Sequence, residues 1–227
     1  MSAKRRVELF YDVVSPYSWF AFEVLCRYRA SGAWNINLQL RPCFLGGIMQ
    51  GSENKPPAAV PNKAYYMSKD LQRMREFMDV PLNQPKNFVE AVLIKGSLQA
   101  MRFVTAVDIK HPEKTEALSR ELWMRIWSRD EDITQPDSFI EAGKKAGLSE
   151  AVVKDALGRL KDQEIKDMLK QNTQAALDYK AFGAPTIIAH VDSGPELVFG
   201  ADRFDILARL LGEEWKGPNP ETATSKL

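Results

Sequence analysis

The chain has 227 residues, enough for one large domain or two small ones, with a core that needs no disulfide or metal staple. Its 31 basic and 30 acidic residues leave a formal charge of +1, so no overall field draws it to nucleic acid or an acidic membrane, and a small-molecule or protein partner is expected. Hydrophobic residues at 44% and charged residues at 27% suit a globular protein, and no apolar run approaches the ~18 residues of a membrane helix.

The amino end carries basic residues but runs directly into a strand-like segment, without the apolar stretch and cleavage site of a secretory signal. Residues 7–13, β-branched and aromatic, predict a strand covered on both faces. Ser15 and Pro16 then open a helix as N-cap and first helical residue, with no breaker until Gly32. Residues 36–41 alternate strictly and predict a second strand, giving a right-handed parallel βαβ unit. Residues 42–61, with Gly46, Gly47, Gly51, Pro56 and Pro57, read as a long loop.

From there to residue 180 the periodicity is helical, through Met67, Leu71, Met74 and Phe77, then Leu98, Met101, Val104 and Val107, then Leu118, Leu122 and Ile126, and finally Ile165 and Leu169. Strands return at residues 186–191 and 197–199 around a turn at residues 192–195. Asp202 is expected to cap a last helix that ends at Gly212. Cys26 and Cys43 have no C-x-x-C spacing and, with His111 and His190, make no zinc set, so a reduced, intracellular protein with no metal is expected. Cys26 is expected to be buried and inert, while Cys43 and His111 suggest no role. The chain ends in Ser225-Lys226-Leu227, the address read by the peroxisomal import receptor, behind a Gly/Pro-rich segment that should present it; peroxisomal delivery is expected, with the mitochondrion as the alternative.

Two segments carry the chemistry. Ser15-Pro16-Tyr17-Ser18-Trp19 stands where the first strand turns into the first helix, and a helix N-terminus favours an anion. In Gly183-Ala184-Pro185-Thr186 a proline opens a strand that otherwise needs its donors, which suits a cis peptide turned toward a site. With serine at both 15 and 18, dithiol exchange has neither an attacking nor a resolving group.

These pieces resemble the thioredoxin superfamily and, over nearly the whole chain, the kappa-class glutathione transferases. The resemblance rests on V-E-L-F-Y-D-V-V-S-P-Y-S-W at residues 7–19, S-R-E-L-W-M-R-I-W-S-R at 119–129, A-F-G-A-P-T at 181–186 and F-G-A-D-R at 199–203. It implies an α/β, thioredoxin-like fold with an inserted all-helical domain: residues 1–60 and 180–227 form the glutathione-binding domain and residues 61–179 the insertion.

The resemblance further implies that Ser15 sets its hydroxyl against the sulfur of glutathione, with Pro16, Tyr17 and Ser18 lining the same pocket. Ala184, before Pro185, would bind the cysteinyl backbone, and Asn54 would bind glutathione. Asp202 and Arg203 would hold the γ-glutamyl end and Lys63 the glycyl carboxylate. Trp123, Trp127 and Phe103 read as core or subunit-interface residues. The implied enzyme is a glutathione transferase with no metal or dissociable redox cofactor, glutathione itself being the co-substrate. Its partners are a small electrophile and a second copy of the chain in a homodimer. Two alternatives share these motifs: a glutathione-dependent isomerase of the 2-hydroxychromene-2-carboxylate type, and a non-catalytic thioredoxin-like binding module.

Overall fold

A computed structural model describes residues 3–221, so the terminal Ser225-Lys226-Leu227 lies outside the described residues. Strand β1 (Arg5–Tyr11) runs parallel to β2 (Ile36–Pro42), with Leu9 opposite Leu40, and the two are joined through α1 (Pro16–Ser31). On its other edge β1 pairs antiparallel with β3 (Thr186–Val191), which pairs with β4 (Gly194–Phe199), giving the sheet order β2-β1-β3-β4. β1 is shorter than the apolar run because the Asp12 carboxylate accepts from Val14 N at 3.0 Å and turns the chain out of the ladder. β4 begins earlier than expected, since Pro195 lies on the edge strand, where a missing donor costs little.

The expected helical block is present as α3 (Pro61–Met78), a π-helical turn (Val89–Lys95), α4 (Leu98–Lys110), α5 (Pro112–Trp127), α6 (Pro136–Lys145), α7 (Glu150–Gly158) and α8 (Gln163–Asp178). Among the described residues no strand falls between 61 and 180. α8 packs against β1 and β2, so the block supplies the central helix that the sheet's own sequence lacks. Residues 42–61 are not all loop: α2 (Leu45–Gly51) occupies the first half. Its glycines permit close approach rather than breaking the helix, for a side chain at Gly51 would meet Leu177 Cδ1 at 2.6 Å and one at Gly47 would meet Thr173 Cγ2 at 3.0 Å, both on α8.

The sheet's alternation divides the core. Val7, Leu9 and Tyr11 join α1, α4 and α5 in one large cluster that includes Phe103, Trp123 and Trp127, whereas Phe10 and Ile188 on the other face meet Ile48 and Ala176. Phe103, Trp123 and Trp127 are fully buried in this chain's own core. Phe77 departs from its expected stripe and is 59% exposed. The last helix, α9 (Phe204–Leu211), starts one residue later than the reading of Asp202 as its cap requires: Arg203 occupies the N-cap position and makes no side-chain cap bond.

Candidate active site

Ser15 stands between the end of β1 and the first turn of α1, and its backbone is held on every side. Val13 N donates to Met101 Sδ at 3.4 Å, Val14 N to Asp12 Oδ1 at 3.0 Å and Ser15 N to Asp12 O at 3.0 Å. Ser15 O accepts from Trp123 Nε1 at 3.1 Å. Its side chain is equally constrained: Oγ accepts from Ser18 N at 3.1 Å, as an N-cap does, and donates to Ala184 O at 3.0 Å. The Ala184-Pro185 bond is cis, as expected from the sequence. A serine only 4% exposed is thus locked by four partners drawn from the turn after β1, α1, α5 and the loop before β3.

The S-R-E-L-W segment of α5 explains part of this rigidity. Ser119 Oγ bonds Tyr11 OH at 2.7 Å, Arg120 grips Glu23 of α1 through two bonds of 2.8 and 3.1 Å, and Trp123 reaches Ser15. Glu23 also accepts from Trp19 Nε1 at 3.0 Å, and the Trp19 and Trp123 rings stack 2° from parallel. Trp123 is a core residue, but its indole N–H gives it a second role that helical periodicity alone does not show.

Two cavities adjoin at Ala184, whose carbonyl accepts from Ser15. One, of about 270 Å³, is lined by Ser15, Pro16, Tyr17 and Ser97 and otherwise mainly by apolar groups, including Phe44 at the head of α2, Met67 of α3 and Val92 of the π-helical turn. The other, of about 330 Å³, brings Asn54, Asp70, Asp202 and Tyr17 together with the Gly183-Ala184-Pro185 backbone. Tyr17 and Ala184 line both. Tyr17 OH donates to Asp70 Oδ2 at 2.8 Å, and burial together with that carboxylate raises its pKa, so the phenol stays protonated. Asp202 lines the polar cavity rather than capping α9; its Oδ1 lies so close to Gly200 that a side chain there would meet it at 2.8 Å, and Gly200 adopts φ +92°. Asn54 Nδ2 donates to Phe182 O at 2.6 Å and ties the end of α2 to the loop before β3.

The remaining predicted site residues sit differently. Ser18 is fully buried and lines neither cavity, and its hydroxyl has no partner among the described residues. Lys63 is exposed on the first turn of α3, and Arg203 is exposed with Nη1 3.2 Å from Asp202 Oδ2; neither lines the cavities. Cys26 and Cys43 are buried free thiols whose pKa burial pushes up, which matches the inert reading of Cys26. His111 joins α4 to α5 and faces Glu113 at 3.7 Å. Among the described residues no cluster of three or more His, Cys, Asp or Glu is placed to hold a metal ion, and no helix is long and apolar enough to cross a membrane.

Residues 6–212 match the DSBA-like thioredoxin domain family. The chain is 52% identical to human glutathione S-transferase kappa 1 over 98% of both chains, and 35% identical to glutathione S-transferase kappa 1 of Caenorhabditis elegans over 91% of this chain and 90% of that one. Among solved structures, a 2-hydroxychromene-2-carboxylate isomerase shares the fold, with a TM-score of 0.75 at 19% identity over 91% of this chain and 94% of that one. A DSBA-like thioredoxin fold, serine in place of the motif's thiols and near-complete coverage at this identity lead to one assignment: the chain belongs to the kappa class of glutathione S-transferases.

Proposed function

We propose that the protein activates the thiol of glutathione as a thiolate and directs it at electrophiles held in the apolar cavity. The observation that carries this reading is the Ser15 hydroxyl, which is fixed at a helix N-terminus on the wall of the apolar cavity and bonded to Ala184, a residue that lines both cavities. A free thiol of pKa ~8.5 is a few per cent thiolate at neutral pH, and lowering it by two units requires about 2.7 kcal/mol of preference for the anion. The helix terminus contributes about 0.3–1 kcal/mol and a charge-assisted hydrogen bond about 1.5–3 kcal/mol, which together close the gap.

The Ser15 hydroxyl has one proton, which in the structure goes to Ala184 O. When the sulfur of glutathione arrives, that proton turns from a neutral carbonyl to an anion, and Ala184 O is released to accept from the cysteinyl N–H of the ligand. Asn54 and Asp202 then meet the polar parts of glutathione in the adjoining cavity, Asp202 accepting from its ammonium group. Lys63 and Arg203 are assigned to its carboxylates from outside the cavity wall.

In the reaction, the thiol proton leaves to solvent and the thiolate forms a carbon–sulfur bond as halide departs from an aryl halide. With a hydroperoxide, the sulfur takes the terminal oxygen, the alcohol leaves, and a second glutathione reduces the sulfenic acid to a disulfide with release of water. The test is titration calorimetry with glutathione, followed by turnover of an aryl halide with the glutathione consumed counted against product. Stoichiometric consumption supports the transferase, glutathione regenerated during turnover of a hydroxychromene carboxylate supports the isomerase, and absence of glutathione binding overturns both.

We further propose a homodimer, checked by light scattering, and peroxisomal delivery by Ser225-Lys226-Leu227. Deleting Leu227 should leave the protein cytosolic, and unchanged organelle targeting after that deletion points to a signal elsewhere.

A further inference from the structure

Asp12 is fully buried, and its carboxylate forms no ion pair among the described residues. Three donors meet it instead. Oδ1 accepts from Val14 N at 3.0 Å, and Oδ2 accepts from Leu45 N at 2.9 Å and from Ser97 Oγ at 2.8 Å. Each donor belongs to a different segment: Val14 to the turn before α1, Leu45 to the start of α2, and Ser97 to the residue before α4. Val14, Leu45 and Ser97 all line the apolar cavity. The backbone carbonyl of the same residue receives Ser15 N.

A carboxylate without a cation is an expensive way to join three segments, because burial of the charge opposes what the donors return. A site, rather than stability, is where such a conflict between local energetics and fold is expected. We propose that Asp12 is the positioning residue of the apolar cavity: it clamps three of the cavity's walls to one another and to Ser15, and so sets the fit of the electrophile without touching it. This rests on the reading of that cavity as the electrophile site.

The clamp depends on charge. Val14 N and Leu45 N can only donate, and although Ser97 Oγ can turn to accept the proton of a neutral Asp12, the neutral carboxyl is a weaker acceptor for Leu45 N, so the α2 wall is loosened. The titratable group facing Asp12 is the Cys43 thiol, which is buried and neutral, so no neighbouring charge compensates the change. Burial lifts Asp12 to about pKa 6, which brings this loosening into an accessible range.

The probes are S-hexylglutathione and S-methylglutathione, which share the glutathione frame, differ only in apolar length and have no thiol to titrate. Their affinity ratio reads the apolar cavity alone. In the wild type the ratio should be constant above pH 7 and fall below pH 6. In Asp12→Asn it should be lower by about tenfold, the equivalent of ~1.4 kcal/mol, and flat from pH 5 to 8, while the affinity for S-methylglutathione is retained. Ser97→Ala, which removes one tie and keeps the carboxylate, should lower the ratio partially, and Ser97→Thr should restore it, so the proposal stays testable if Asp12→Asn does not fold. An unchanged ratio in these variants, with a flat wild-type profile, overturns the clamp. Failure of either compound to bind the wild type at any pH instead overturns the glutathione-site reading.

Discussion

The two cavities that adjoin at Ala184, beside Ser15, recognise by opposite means. The polar one gathers Asn54, Asp70 and Asp202 around a backbone edge that can pair with a peptide, so its ligand is fixed by charge and direction. The apolar one offers Phe44, Met67, Val92 and their neighbours, surfaces that exclude water and tolerate any apolar body of suitable size. An enzyme with one constant co-substrate and varied second substrates needs this division. The difference teaches that the polar side can be read residue by residue, whereas the apolar side is a property of packing. It also supplies the predictions, ordered from the largest effect expected.

The greatest effect is on stability and lies beneath the apolar cavity. Asp12 titrates near pH 6 in the fold against 3.8 unperturbed, a difference worth about 3 kcal/mol. Its folded pKa is raised, so its contribution to stability is fully present below pH 3.8 and is lost as pH rises through 6. Denaturant unfolding should therefore show the wild type gaining up to ~3 kcal/mol on Asp12→Asn between pH 7 and pH 4. A constant difference across that window means that Asp12 titrates normally.

At the junction itself, Ser15→Ala should raise the thiol pKa of bound glutathione by about one to two units and lower turnover about tenfold or more. Thiolate absorbance near 240 nm, titrated in both forms, checks this. Identical titrations with lost activity leave Ser15 with only its capping bond to Ser18 N and its link to Ala184.

On the apolar wall, Val92→Asp should raise KM for an apolar electrophile about tenfold by placing a charge in the π-helical turn, with glutathione affinity within about twofold of the wild type. Equal losses for both substrates erase the distinction between the cavities.

The sequence made the polar half of this arrangement legible and left the apolar half obscure, for physical reasons. Ser15-Pro16 and Gly32 announce the ends of α1 through local backbone chemistry, and Pro185 marks the loop opposite because a residue without a donor cannot sit inside the paired strand that follows it. Gly47 and Gly51 misled because glycine has two uses: here it admits α2 against α8 rather than ending a helix. Asp12 looked like part of a strand, and only its three donors, separated by up to 85 residues, show what it does. Trp123 fits a buried stripe, and its bond to Ser15 O depends on how α5 crosses α1. Asp202 satisfied the composition of a cap, yet the helix starts after Arg203, which frees its carboxylate for the cavity.

The smallest effect is expected where the polar cavity opens to solvent. Arg203 pairs with Asp202 at 3.2 Å, but their side chains are 56% and 59% exposed, so water screens the pair and its worth lies within the usual 0–1 kcal/mol of surface ion pairs. A charge-assisted contact with a bound carboxylate at the same exposure is screened equally. Arg203→Ala should therefore weaken glutathione binding about fivefold or less, with the loss shrinking further as salt is raised. Asp202→Ala should cost more, because that carboxylate lines the cavity and Arg203 does not. Calorimetric titrations of both variants at low and high salt provide the comparison. If Arg203→Ala proves the more damaging, the guanidinium must fold inward over the ligand, and the polar cavity is completed only when glutathione is in place.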